Sequence, residues 1–289
     1  MNGIQSLDYI PNFLSEITFS EEAKEVIKEI ALSSLKELVI SLAFAGITCL
    51  FVVTPIGMVT AIGGALLVVI LNTFYKSLGG YCDLRLDEIQ GIQDAEIAKE
   101  RAFLEKARSF LKFACAYDFG TFYTGTAGVV VHESGHALTG LALTKGPIHV
   151  TVDPFMGGAT EGQFKNLSSL GKLLGVNESE MALCGAGAAF TLIFSIGFII
   201  AAHFLSESNP ELSAYLNAMG LAGILTEVTY ALSALFVTSL SEAAGHDFVA
   251  LWAGGLHPII PVVIMILVPL LVKGTLYVVD ELRQNPSMI

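Results

Sequence analysis

Charge is scarce in this chain. Only 15% of its 289 residues are Asp, Glu, Lys or Arg, and the 15 basic ones are nowhere gathered into a stripe. A phosphate-binding surface needs concentrated Lys and Arg, so nucleic acid is excluded as a partner, and the formal net charge of -12 points the same way. Cysteine is also sparse: Cys49, Cys82, Cys115 and Cys184 stand far apart without a CxxC pair. That spacing excludes a thiolate zinc ribbon and favours buried thiols over disulfides. No nucleotide-binding module, PDZ-like insertion, internal repeat or low-complexity tract is apparent, so no nucleotide is expected. A cleavable signal pattern is missing too, since the first long apolar run begins only near Leu38 and is expected to stay as an anchor.

What fills the chain instead is apolar. Hydrophobic residues make up 53% of it and the mean hydropathy is +0.67, far from an ordinary soluble domain. A multi-pass integral membrane protein follows, with the lipid bilayer as its surroundings. Leu38 to Phe74 is long enough for two spans, broken at Thr54-Pro55-Ile56-Gly57. Further spans are predicted from Phe119 to about Thr144, Met181 to Leu205, Ser213 to Leu240 and about Pro258 to Val279. Between Gly146 and Phe164, apolar Ile148, Val150 and Val152 alternate with polar neighbours and run into Pro154-Phe155-Met156-Gly157-Gly158, which predicts a short hairpin. The small residues Gly185 to Ala189 would let a neighbouring helix approach closely.

The expected fold is therefore an all-α polytopic membrane protein of about six transmembrane helices with a short β-hairpin. Its organisation reads as an amphipathic N-terminal arm at 1–37, a transmembrane hairpin at 38–76, an amphipathic connecting segment at 77–116, a membrane core at 117–279 and a tail at 280–289. Ser20 is a fitting N-cap for the arm, and Ala23, Val26, Ile27, Ile30 and Ala31 share one helical face. The arm either lies on the membrane surface or extends into the first span. Counting six spans, Lys and Arg fall mostly on the face that carries both termini, which the positive-inside rule assigns to the cytoplasm.

The third predicted span carries chemistry that lipid disfavours. His132-Glu133-Ser134-Gly135-His136 is HExxH, and four helical residues bring both imidazoles to one side, a turn apart, where they can grip one metal ion. Glu133, one step round, can address water at that ion. With six histidines in the chain, HExxH arises by chance on the order of once in a hundred such sequences. Ionisable groups at membrane depth usually serve function. A hydrolytic zinc site takes three protein ligands, so one must come from a distant position. Asp247 is the first choice, because the polar break SEAAGHDF can fold back from the end of a long apolar helix. Glu227, inside the fifth span, and His203 and His246 are the alternatives, while His149 and His257 read as strand-surface and loop residues. Gly135 beside Ser134 fits either a substrate strand or tight helix packing.

These residues resemble the site-2 protease class of intramembrane metalloproteases, the M50 peptidases. HESGHALTGLALTKG at 132–146 is similar to that family's zinc helix, IHVTVDPFMGGATEGQF to the hairpin after it, CGAGAAF at 184–190 to its small-residue helix start, and GHDF at 245–248 to its distal aspartate motif. Two departures stand out: Ala186-Gly187-Ala188 lacks the usual proline, and Asp247 is followed by Phe248 where the family has glycine. The resemblance implies that His132, His136 and Asp247 bind Zn2+, that Glu133 is the general base, and that a transmembrane protein substrate is cut within or near the bilayer. A bacterial inner membrane is the expected location. In that family the zinc helix runs from outside toward the cytoplasm, opposite to the charge count, so the orientation stays open. Two rival readings are a prenyl-protein-processing or stress-protease type of membrane zinc protease with Glu227 as third ligand, and a non-catalytic membrane scaffold.

Overall fold

The computed structural model describes residues 20–162, 166–237 and 245–284. Most of the expected arm before Ser20, the end of the predicted hairpin segment, part of the polar break before Gly245 and the last residues of the tail lie outside the described residues. In chain order the helices are α1 (Glu21–Cys49), α2 (Pro55–Glu88), α3 (Ala95–Tyr123), a π turn (Thr124–Gly128) and α4 (Val129–Leu143). After strands β1 (Ile148–Asp153) and β2 (Gly157–Gly162) come α5 (Ser169–Leu174), α6 (Val176–Leu205), α7 (Pro210–Ser233), a 3-10 turn (Ala234–Phe236), α8 (Asp247–Ala253) and α9 (Ile259–Gln284).

Five of these helices, α1, α2, α6, α7 with its 3-10 turn, and α9, are long and apolar enough to cross a membrane. A helix satisfies its own backbone groups, which hydrocarbon demands. Large apolar side chains stay exposed along them, among them Leu67, Ile193, Leu225 and Leu271, as lipid-facing surfaces require. The third expected span differs in kind. It is a composite of the end of α3, the π turn and α4, and it carries the HExxH residues. The chain is thus an all-α multi-pass membrane protein with one small antiparallel sheet.

The boundaries expected at 37, 76 and 116 fall inside α1, α2 and α3 rather than between elements. From Glu21 the arm and the first span are one helix, because nothing between Ala31 and Leu38 breaks helical geometry. The chain divides into two compact units, and the boundaries expected at 37 and 116 lie within a residue of two of the division points, at 37/38 and 115/116. One unit comprises residues 20–37 and Val69–Cys115. Its apolar core gathers Cys82, Ile89 and Leu104, and interhelical pairs Arg85 to Glu100 (2.7 Å) and Arg108 to Asp83 (2.8 Å) flank it. Arg108 is held above its ordinary range by the hydrogen bond to Asp83. Deeper, the fully buried Glu37 accepts hydrogen bonds from Lys76 (2.7 Å) and Asn72, and Thr73 donates to Ser34 at 2.8 Å. Polar groups that bond across helices hold such bundles together where the hydrophobic effect cannot.

The other unit contains Leu38–Val68 and the chain from Ala116 onward. Within it α6 packs along both α4 and α7, and α9 against α6 and α7. Glycines permit the close approaches: a Cβ on Gly135 would lie 2.4 Å from the Ala186 carbonyl, and one on Gly220 would lie 2.6 Å from that of Ser195. Gly135 therefore serves tight packing of α4 on α6. The hairpin pairs Ile148 with Gly162 through to Asp153 with Gly157. Its tip is fastened to the π turn, since Phe155 N–H donates to the Gly125 carbonyl at 2.6 Å and the Phe155 ring occupies the space a Cβ on Gly125 would need. That anchorage offsets the left-handed backbone of Phe155, φ 65°, which L residues avoid.

Candidate metal centre

Helix α4 presents His132 and His136 one turn apart, with ring centroids separated by 4.8 Å. The outer nitrogen of each ring is spoken for. His132 Nδ1 donates to Glu227 Oε1 on α7 at 2.7 Å, and His136 Nδ1 donates to the Leu183 carbonyl on α6 at 2.7 Å. A carboxylate and a carbonyl accept, so each ring carries a proton on Nδ1, and in the neutral imidazole that leaves Nε2 as the lone-pair nitrogen. The two Nε2 atoms lie 3.1 Å apart, and each lies 3.1 Å from Oδ2 of Asp247 at the start of α8.

With neutral rings these three acceptors would repel at such distances; a metal ion among them, or protons on Nε2, relieves that. A tetrahedral zinc ion with ligands at about 2.0–2.1 Å places neighbouring donors about 3.3–3.4 Å apart. The observed triangle of 3.1 Å edges is close to that, and two imidazoles with one carboxylate form a zinc-type donor set. The residues present fit the ion. His132, His136 and Asp247 are also the described residues whose His, Cys, Asp or Glu donor atoms cluster closely enough to hold a metal.

The surroundings fix the ligands. A Cβ on Gly187 would lie 2.4 Å from Nε2 of both histidines, so only glycine lets α6 pass this close. This is the local reason for the glycine at the centre of the Gly185 to Ala189 run. The Asp247 backbone N–H donates to the Tyr230 hydroxyl at 3.1 Å, and the Tyr230 ring stacks on His246 at a centroid distance of 4.3 Å. Glu227 is almost wholly buried; its Oε1 is used by His132, and its Oε2 has no partner among the described residues.

Glu133 points to the hairpin. Its Oε2 accepts from Thr160 Oγ1 on β2 at 2.7 Å, and a Cβ on Gly158 would strike its side chain at 2.5 Å. Strand β2 therefore lies directly across the base position. All of these groups line one cavity of about 850 Å³, bounded also by the hairpin tip and the π turn. π turns inside α-helices are frequent at functional sites.

The structure thus brings together His132, Glu133, His136 and Asp247. It keeps Glu227 adjacent but on the far nitrogen of His132, as a supporting carboxylate rather than a member of the triangle. His246 stacks on Tyr230 and bonds Ser233 at 3.0 Å. His203 pairs with Asp280 at 3.2 Å in another part of the unit, and His149 and His257 are exposed. Thr160, Tyr230 and Gly187 were not foreseen as site residues. The glycine had a signal in the small-residue run, whereas Thr160 and Tyr230 enter only through tertiary contact. Comparison with known protein families, with curated proteins and with solved structures finds no match.

Proposed function

We propose that this protein is an intramembrane zinc metalloprotease, hydrolysing peptide bonds of membrane-protein substrates within or beside the bilayer. One observation carries the reading: two imidazole Nε2 atoms and a carboxylate oxygen converge at 3.1 Å, with the Glu133 carboxyl beside them in the same cavity. The resemblance of residues 132–146 to the site-2 protease zinc helix, carried by the same HExxH residues, agrees with it.

His132, His136 and Asp247 would hold the ion, and Glu227 keeps His132 in the tautomer that binding needs. When bound, zinc supplies Lewis-acid polarisation of a substrate carbonyl and acidifies water. Glu133 takes a proton from the attacking water while the new C–O bond forms, then passes it to the amine nitrogen as the C–N bond breaks. Thr160 holds Glu133 in place through Oε2. The Tyr230 hydroxyl accepts from the Asp247 N–H, which leaves its own proton free to serve a developing oxyanion in the cavity.

A transmembrane helix hides its carbonyls in its own hydrogen bonds, so a substrate must be unwound first. Among the described residues β2 pairs only with β1, which leaves its other edge open to an extended segment laid beside Glu133. The decisive experiment compares membranes holding the wild-type protein or Glu133→Gln, using proteomics to find a truncated partner. The reading expects a fragment present only with wild type. Identical fragment patterns, with both proteins zinc-loaded, would leave a metal-binding scaffold instead.

A further inference from the structure

Asp247 differs from the two histidines in how it is held. His132 and His136 share the single helix α4, whereas Asp247 is the first residue of the seven-residue helix α8. The residue two before it, Gly245, is exposed, takes the left-handed backbone with φ 82°, and has no atom within 4 Å of where a Cβ would stand. Gly245 therefore turns the chain there without anchoring it. Something else must aim the carboxylate at the site.

The residue between them, His246, is fastened on both sides. Its ring stacks on that of Tyr230 at a centroid distance of 4.3 Å and an interplanar angle of 20°. Ser233 Oγ donates to the Tyr230 carbonyl at 2.7 Å, so the hydroxyl meets His246 Nε2 at 3.0 Å with a lone pair, and that nitrogen is the donor. Ring stack and hydrogen bond thus tie His246 to the last turn of α7. Its carbonyl accepts from the Val249 and Ala250 N–H groups at 3.1 and 3.0 Å, which closes the first turn of α8. Tyr230 repeats the link, since its hydroxyl accepts the Asp247 N–H at 3.1 Å and its ring stands edge-on to Phe248 at 5.4 Å. His246 itself does not join the cluster of donor atoms that His132, His136 and Asp247 form.

We propose that His246 is a positioning residue for the third metal ligand: it locks the start of α8 to the end of α7, so that Asp247 Oδ2 stands at the two Nε2 atoms before an ion arrives. A ligand already held in place costs no further ordering when the ion binds, and affinity rises accordingly. The sequence offers His246 as a candidate ligand, and the geometry gives it this other task. The proposal rests on the reading of His132, His136 and Asp247 as zinc ligands and is independent of whether the protein cuts peptides.

The test measures zinc affinity of the full chain in mild detergent by competition with a chelator. His246→Ala should weaken binding by about tenfold, the lower end for partners behind a metal ligand, because the Tyr230 bond to Asp247 remains. His246→Phe, which keeps the stack and loses the hydrogen bond, should recover part of that loss. The deciding arm repeats His246→Ala in an Asp247→Ala background, where a residue that acts only through Asp247 should add no further loss. The thermal midpoint of each zinc-free variant controls for folding. Wild-type affinity in His246→Ala, the same tenfold loss recurring without Asp247, or a third imidazole in the wild-type zinc shell would each overturn the proposal. Wild-type protein that takes up no zinc would end the reading of the metal centre as well, whereas zinc-loaded wild type with an unaffected His246→Ala ends the proposal alone.

Discussion

Truncating Glu227 separates a metal ligand from a residue that merely supports one. In the structure its Oε1 accepts the Nδ1 proton of His132 at 2.7 Å, so the carboxylate orients the ring and enriches Nε2 without touching the Nε2 side. Outer partners of this kind typically carry about 10- to 100-fold of metal affinity, which is about 1.4 to 2.8 kcal/mol. Glu227→Ala should therefore weaken zinc binding by that factor and no more. Glu227→Gln keeps a carbonyl acceptor for Nδ1 and loses only the charge, so its loss should be smaller. Asp247→Ala removes a corner of the triangle, and its loss should exceed both. The assay is competition for zinc between purified protein and a chelator of known affinity. If Asp247→Ala retained zinc while Glu227→Ala released it, the tautomer argument would be wrong and the chain would belong with the glutamate-liganded membrane proteases.

Four further outcomes follow from the same geometry. Gly187→Ala inserts a Cβ 2.4 Å from both Nε2 atoms, so zinc stoichiometry should collapse while helix content by circular dichroism is kept. Thr160→Val removes the donor that steadies Glu133, and substrate turnover should fall by about tenfold, the worth of one hydrogen bond to a charged group, with zinc content unchanged. Lys76→Met strands the buried Glu37 and should cost about 3 kcal/mol, seen as a lowered thermal midpoint in detergent; adding Glu37→Leu should recover most of it. Chelation should lower the thermal midpoint of the wild type, because an ion at about 100 times its dissociation constant stabilises by about 2.7 kcal/mol. The same treatment should leave the His132→Ala protein unmoved.

Features that depend on near neighbours in the chain were legible in the sequence. The spans follow from apolar length, the hairpin from the alternation of Ile148, Val150 and Val152, and the HExxH pair from helical rotation. The boundary read near residue 37 coincides with a division point of the two compact units, yet α1 runs on unbroken through it, because composition changes there while helix propensity does not. The π turn had only a cluster of small residues, TGTAG, to announce it, and the hairpin tip docks on it at Gly125 through a tertiary contact. Gly135 fitted two roles on paper, and the Ala186 carbonyl at its face decides for packing. The remaining gap concerned which acid joins the two histidines at Nε2. Asp247 and Glu227 are 20 residues apart in sequence and both reach His132 in space, so only the choice of ring nitrogen tells them apart.

The claim on which the rest depends is that a dication sits between His132, His136 and Asp247. X-ray absorption at the zinc edge, on full-length protein purified without chelator and replenished with zinc, examines that directly. The account predicts one zinc per chain with two imidazole nitrogens and one carboxylate oxygen at about 2.0–2.2 Å, and loss of that signature in Asp247→Ala. Protein that takes up no zinc, or whose zinc lacks paired imidazoles, would contradict it.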